Sequence, residues 1–411
     1  MSDSFSIADA APLAADAGGE LAGSRTVATG TATGTDLGFL WDFWYPALRG
    51  AEIRGRALVK AMLLEVPLVL GRTDDGRAFA MRDACPHRGI PLSYGRFDGK
   101  AVECAYHGWK FEACSGQCVE IPSLTSQDKL KVERIFAGHY PCEERDGYVW
   151  VYMTEPFRPQ AGLRAAGRKG GAAAGDAASV GADSAAAIPA APALPVFSEG
   201  YKITHLACEL PSHVDQGIIG LMDPAHGPFV HQSWYWRSRH SMHDKEKKFE
   251  PIANGFRMST HTPSANSAPY KLLKRMTGEA VTTTIDFVLP NMRLEEIHSG
   301  KLWFSSRACV TPVRRNLCRI DFVAAWNVAA WMPLVVPIFR SFAKRFLRQD
   351  QLTMIQQAEG LKHDPRLMLI DDADRPAKWY FGLKAALLES RRTGEAMVHP
   401  LGGPVTLHWR S

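Results

Sequence analysis

Residues 83–111 read DACPHRGIPLSYGRFDGKAVECAYHGWKF, and within them Cys85-x-His87 and Cys104-x-x-His107 set two thiols and two imidazoles at close spacing. Such a set points to a metal site. Zinc accepts mixed Cys/His ligands, so a small structural zinc ribbon is one reading. The other is a [2Fe–2S] cluster with two thiolates on one iron and two histidines on the second. Cys85 and Cys104 would then hold the first iron, and His87 and His107 the other. Each loop contributes one Cys and one His, whereas zinc fingers usually pair like with like along the chain. That arrangement favours the iron–sulfur reading. Gly89 and Gly108 follow the two pairs and give the backbone freedom that lets amides approach cluster sulfurs.

A second constellation lies at residues 212–236, SHVDQGIIGLMDPAHGPFVHQSWYW, with His226 and His231 five residues apart. On an unbroken helix that spacing sets two side chains about 140° apart, too far round to face one ion. Gly227-Pro228 between them breaks or kinks the helix and lets the rings converge. Taken alone, the pair reads equally as two surface histidines near a helix end.

The flanks of the first segment set its redox character. Respiratory high-potential clusters of this ligand set carry a third cysteine in each loop and hydroxyl donors after the second histidine. Here Ile90 and Tyr106 stand at those loop positions, and Gly108-Trp109-Lys110-Phe111 follows His107. Fewer hydrogen bonds to the cluster place its potential low in a range of roughly −150 to +300 mV. The segment resembles the Rieske domain of the Rieske non-haem iron oxygenases, alpha-subunit type, and Asp223-x-x-His226-x-x-x-x-His231 has the spacing that family uses.

The resemblance implies one Rieske [2Fe–2S] cluster and one mononuclear Fe(II) held by two histidines and a carboxylate. His226 and His231 are the implied histidines. Asp223 is implied to link His226 to His107 of a neighbouring subunit, an electron-transfer bridge in a head-to-tail homotrimer. The third ligand is expected at Asp350, in FRSFAKRFLRQDQLTMIQQAEG. Phe339, Phe342, Phe346, Asp350, Thr353 and Gln357 share one helical face, and a carboxylate among phenylalanines is costly unless it is paired or binds metal. Glu359, Asp364, Asp371 and Asp372 lie beyond that periodicity. Gly220 stands where many relatives place Asn, and Asp215 or Gln216 is expected to supply that polar group.

Those residues need two frameworks. The length of 411 residues suits two domains. Residues 1–38, rich in Ala, Gly, Asp and Thr, read as a disordered tail rather than a secretory signal. Residues 39–158 form the expected Rieske domain, with successive hairpins and a turn at Asp75-Gly76. Residues 159–196 read as a flexible Ala/Gly/Pro linker. The catalytic domain, 197–411, is expected to begin with helix over 209–240, to continue with antiparallel strands, and to carry a long helix from Pro337 to Gly360. The fold class is thus α+β: an N-terminal all-β domain and a C-terminal helix-grip domain, an antiparallel sheet with a long helix.

The composition is ordinary, 46% hydrophobic and 22% charged, and the net charge of +5 does not argue for nucleic acid. The basic excess would suit an acidic electron-donor protein. Eight cysteines are too few for a disulfide scaffold, and a cytoplasmic setting follows. There is no Gly-x-Gly-x-x-Gly fingerprint and no plant-type four-Cys ferredoxin spacing, so NAD(P)H must act through a partner ferredoxin or reductase. The expected function is monooxygenation of a bulky hydrophobic polycycle, with O₂ as co-substrate. The resemblance to ketosteroid hydroxylases, cholesterol desaturases and pheophorbide a oxygenase implies a sterol-like molecule first and an aromatic one second. A pure electron-transfer protein would leave the second histidine pair and Asp350 unexplained, and a zinc-stabilised binding module is the third class. Residues 322–348 pair tryptophans with a trailing basic run. They read as an inner strand entering the metal-bearing helix, or as a peripheral contact with the inner membrane face.

Overall fold

The computed structural model describes residues 4–5, 38–155, 188–232, 239–263 and 268–411. The chain divides into two compact units, residues 41–193 and residues 1–40 with 194–411. The expected linker falls mostly on 156–187, outside the described residues. Its last part belongs to the first unit: Trp44 Nε1 donates to Pro189 O at 2.6 Å, and the Ala191 amide donates to the Glu143 carboxylate at 3.1 Å. The boundary therefore lies at 193/194 rather than at 196.

The first unit is all β, built of three antiparallel sheets. Val59–Leu63 and Val66–Arg72 form a hairpin whose two loop residues, Leu64 and Glu65, have φ of 51° and 66°, the twist a two-residue turn requires. The next turn is the expected one at Asp75-Gly76, where Gly76 takes φ 87°. A small sheet of Arg96–Phe97, Ala101–Glu103, Lys110–Glu112 and Cys118–Glu120 carries the two Cys/His loops at its edge. Beneath it Phe79, Leu92, Phe97, Val102 and Phe111 are buried together with Cys85 and Cys104. Each such side chain contributes about 1.5–3 kcal/mol by leaving water, which makes a rigid seat for the loops.

The second unit is one broad sheet with helices. Its order is Lys202–Leu210, Leu317–Trp326, Leu302–Arg314, Met292–Ser299, Thr282–Val288, Gly255–His261, Asp244–Ile252 and Val405–Arg410, all antiparallel. Ser4–Phe5, within the tail expected to be disordered, adds a two-residue parallel strand beside Ala207–Cys208. The helices are α1 (Val214–Met222), α2 (Gly227–Val230), α3 (Ala268–Thr277), α4 (Val335–Leu361) and α5 (Arg375–Thr393). The mixed α+β class and the long helix agree with the sequence reading.

The helix expected over 209–240 is corrected. Residues 202–210 form a strand that buries Thr204, Leu206, Cys208 and Leu210 at every second position, with Ala207 buried as well. Asp223-Pro224 then ends α1, because a residue before proline is pushed out of the helical region; Asp223 has ψ 118°. Gly227-Pro228 does not break a helix but starts α2, with proline in its first turn. Residues 233–238 lie outside the described residues.

Candidate metal centres

Both Cys/His loops of the first unit are built alike although their ligand spacings differ. The Cys85 amide donates to Ile90 O at 2.8 Å and Gly89 N donates to Cys85 O at 2.8 Å. In the second loop the Cys104 amide donates to Trp109 O at 2.8 Å and Gly108 N to Cys104 O at 3.0 Å. Gly89 and Gly108 take φ of 74° and 70°, a left-handed turn that a side chain would strain. Asp83 pins the stretch after the first loop, accepting from Ser93 N at 2.7 Å and from Ser93 Oγ at 2.6 Å.

The four side chains meet at the tip of these loops. Cys85 and Cys104 are buried, and the His87 and His107 rings lie 4.5 Å apart between centroids. Burial pushes the Cys85 thiol up to about 11, and contact with Cys104 adds to this, while the His87 and Arg88 amides pull the other way. Two adjacent buried sulfurs addressed by backbone N–H groups are a donor set that metal ions complete by replacing the thiol protons. Desolvation and the charges of His87 and Arg88 hold His107 below its ordinary value. That shift favours the neutral ring, which has a lone pair to give. Trp109 stacks on His87 at 4.7 Å and 3°, fixing that ring.

The second unit brings His226, His231 and Asp350 together; their ligand atoms lie within 4.8 Å of one another. His226 is the residue before α2 and His231 the one after it, so a single turn places both rings on one side. Across from them α4 presents Asp350. Its Oδ1 is 3.1 Å from His231 Nε2 and 3.9 Å from His226 Nε2, and the two Nε2 atoms are 3.1 Å apart. The outer nitrogens differ in their surroundings. His231 Nδ1 lies 3.2 Å from Gln349 Oε1, an acceptor, so Nδ1 carries the proton. His226 Nδ1 is buried without a hydrogen-bond partner, and the nearest carboxylate oxygen, Asp223 Oδ2, lies 3.6 Å away. Both Nε2 atoms and the Asp350 carboxylate oxygen thus converge on one point, where a cation would take one donor atom from each. The donor set, two imidazoles and one carboxylate, suits a divalent iron with open positions.

The surroundings reinforce that geometry. Phe346, one turn before Asp350, stacks on His231 with centroids 3.4 Å apart. Gln351 Nε2 donates to Glu209 O at 2.9 Å and ties α4 to the strand Lys202–Leu210. Burial alone would lower the His226 pKa, but the Asp223 contact and the charges of Asp223 and Asp350 raise it overall. Asp223 is itself held by the Ala225 amide at 2.7 Å.

Comparison with known proteins matches the same two regions. The model of the Rieske [2Fe-2S] domain matches residues 43–134, and that of the vanillate O-demethylase oxygenase C-terminal domain matches residues 220–399. The chain belongs to the Rieske oxygenases. This family works with a [2Fe–2S] cluster, mononuclear iron and O₂, with electrons from an external reductase. The chain is 41% identical over 122 residues to the 3-chlorobenzoate-3,4-dioxygenase oxygenase subunit of Comamonas testosteroni, spanning 29% of this chain and 28% of that one. It is 31% identical over 120 residues to the 4beta-methylsterol monooxygenase of Methylococcus capsulatus, spanning 29% and 32%. The chain thus spans less than a third of the length of either relative. Among solved structures, NdmA of Pseudomonas putida CBB5 with caffeine superposes with a TM-score of 0.62 at 18% identity, covering 89% of this chain and 96% of that one.

Within this Rieske oxygenase two sequence expectations need adjustment. Asp215 does not serve the iron site: its carboxylate receives Lys384 Nζ at 2.8 and 2.9 Å and the Tyr380 hydroxyl. It sits eight residues before Asp223, about 12 Å along a helix axis. Gln216 is buried and its Oε1 has no hydrogen-bond partner. Gln349 was missed. Its only signal is an amide immediately before Asp350, off the apolar face that drew attention to the helix.

Proposed function

We propose that this chain is the oxygenase component of a Rieske monooxygenase system. Its electrons come from a separate ferredoxin or reductase that takes them from NAD(P)H. The overall change is R–H + O₂ + 2 electrons + 2 protons → R–OH + H₂O. Cys85 and Cys104 would hold one iron of the [2Fe–2S] cluster and His87 and His107 the other, while His226, His231 and Asp350 would hold a mononuclear Fe(II). Bound there, iron supplies O₂ activation, and the protein's part is to orient and insulate. Gln349 keeps His231 in the tautomer that offers Nε2. Phe346 covers one face of His231 and excludes water from it. Asp223 would also connect His226 to His107 of a neighbouring subunit in a head-to-tail trimer, giving electrons a short route between centres.

The observation that carries this reading is the convergence of the His226, His231 and Asp350 donor atoms, with the outer nitrogen of His231 held by Gln349. The substrate favoured is a bulky hydrophobic polycycle, sterol-like, to be hydroxylated or oxidatively demethylated in a cytoplasmic setting. The likeness to a 4beta-methylsterol monooxygenase supports it. An aromatic acid is the second reading, supported by the likeness to a 3-chlorobenzoate dioxygenase subunit. Purified protein incubated with a reductase, ¹⁸O₂ and a panel of sterols and aromatic acids tests both. One labelled oxygen in a sterol product is the expected result. Labelled product from aromatic acids alone would replace the substrate class, and no label in any product would refute the oxygenase reading.

A further inference from the structure

One ion pair in the sheet of the second unit stands where apolar packing is expected. Arg293 and Glu295 are two residues apart on the strand Met292–Ser299, so they share a face. Directly across from them are Ala308 and Ser306. Phe304 is on the same side as those two, and its ring meets Phe339 of α4 at 5.7 Å. Pairing carries the same face on to Leu206 and Cys208, and Cys208 Sγ lies 3.8 Å from the Leu347 carbonyl oxygen of α4. The pair therefore looks toward the helix that presents Asp350. Around it on this face Met258, Ile285, Ile297, Phe304 and Phe322 are half-buried, so the described helices leave this part of the sheet open. The Arg293 and Glu295 side chains are 24% and 20% exposed. Two other ion pairs of the sheet are closed: Arg257 reaches both oxygens of Asp286 at 2.7 Å, and Arg319 both of Asp321 at 2.8 and 2.9 Å. Arg293 gives Glu295 a single bond, Nη1 to Oε2 at 3.0 Å, and among the described residues neither side chain has a further hydrogen-bond partner. Guanidinium donors are thus left beside a carboxylate oxygen that can accept.

We propose that Arg293 and Glu295 anchor the polar end of the substrate, and that this end is a neutral hydroxyl group. A hydroxyl both donates and accepts, so it can give its proton to Glu295 Oε1 while taking an N–H from Arg293. Both bonds have a charged partner, which makes them the stronger kind. A carboxylate brings no donor and meets the Glu295 charge in a half-buried place, where like charges are less screened than in water. A methyl ether accepts from Arg293 but leaves the Glu295 oxygen unmatched. The apolar residues around the pair suit the rest of such a molecule. Neighbouring strands lie about 4.8 Å apart, which sets the pair about 14 Å across the sheet from the strand Lys202–Leu210, to which Gln351 of α4 is tied. A molecule held there extends across the sheet toward the iron ligands, as a fused-ring skeleton does. The inference rests on the proposed oxygenase site for where the molecule reacts, and deepens it by naming the group that is recognised: a hydroxylated polycycle rather than an aromatic acid.

The test is equilibrium binding to the full-length, metal-loaded protein by titration calorimetry, without oxygen or reductase. The probes are a hydroxysteroid and naphthol, each beside its methyl ether and the carboxylate of the same skeleton. Wild type is compared with Arg293→Met and Glu295→Gln, and circular dichroism and the visible spectrum of the cluster serve as controls that each variant folds. In at least one skeleton wild type should bind the hydroxyl form about tenfold more tightly than the ether or the carboxylate. Arg293→Met should weaken the hydroxyl form about tenfold. Glu295→Gln leaves the Arg293 charge uncompensated, so the carboxylate should gain about tenfold and overtake the hydroxyl form. Glu295→Gln is close to isosteric and suffices alone should Arg293→Met fail the folding controls. The proposal is overturned if wild type prefers the carboxylate, binds the three forms alike or binds none. It is equally overturned if the folded variants keep the wild-type order. Hydroxyl preference confined to naphthol would keep the anchor and replace the sterol-like skeleton. Because binding is read without turnover, hydroxyl preference in a protein that oxidises nothing would sink the oxygenase reading alone. An oxidised sterol with the probe order unchanged in both variants would sink the anchor alone.

Discussion

Lys384→Met should be among the most damaging single substitutions outside the metal ligands. Lys384 is 1% exposed, and its Nζ reaches both oxygens of Asp215, whose side chain is 10% exposed. Tyr380 donates to the same carboxylate, and His213 Nδ1 lies 3.4 Å from it. Burial alone would raise the Asp215 pKa, but the His213 contact and the Lys384 charge bring it down from 3.8 to about 2. A lowering of that size favours the folded state by roughly 2 kcal/mol. Because the folded pKa is the lower one, that contribution is present above about pH 4 and is lost as pH falls towards about 2. Removing the cation leaves a buried carboxylate without its counter-charge, at a cost of about 3–5 kcal/mol. For a unit of this size the melting temperature should drop by about 6–20 °C at pH 7. The Asp215→Asn/Lys384→Met pair should recover most of the loss, since no charge is then stranded. Scanning calorimetry from pH 7 to pH 3 measures all three proteins, and the gap between wild type and Lys384→Met should narrow in acid. A loss under about 1 kcal/mol, or a gap that widens in acid, would refute the reasoning.

Three further outcomes address the metal centres. Asp350→Ala should keep the low-temperature EPR signal of the reduced cluster while iron falls from about three to about two atoms per chain; normal iron content and turnover would remove Asp350 from the ligand set. Gln349→Leu should weaken Co(II) binding at the mononuclear site by about 10–100-fold, whereas Gln349→Glu, which can still accept from His231 Nδ1, should bind nearly as wild type. Equal affinity in wild type and Gln349→Leu would show that the amide does not hold the ring. Asp223→Asn should leave both centres filled and the sedimentation behaviour unchanged but slow single-turnover electron transfer between the centres. An active monomer in sedimentation experiments would contradict the bridge.

What could be read beforehand depended on how far along the chain the physics reached. Cys85, His87, Cys104 and His107 were legible because each loop is six residues closed by its own backbone hydrogen bonds. Asp350 was legible because one helix keeps its phase: Phe346 and Asp350 are a turn apart, and both meet His231. Gln349 was not, since a helical wheel assigns it to the neighbouring face and only a partner at the end of α2, 118 residues earlier, turns its side chain to use. Asp215 failed for the same reason at longer range. Its partner Lys384 is 169 residues away, and nothing near Asp215 announces a buried cation. The two aspartates then divide one short helix between them. Asp215 fastens the start of α1 to α5, and Asp223, at its end, faces His226. If that anchor positions the ligand histidine, Lys384→Met should lower Co(II) affinity at the mononuclear site under conditions where the protein is still folded. Loosened metal binding with an unchanged cluster spectrum is the expected pairing. Unchanged affinity in the folded variant would confine the anchor to stability.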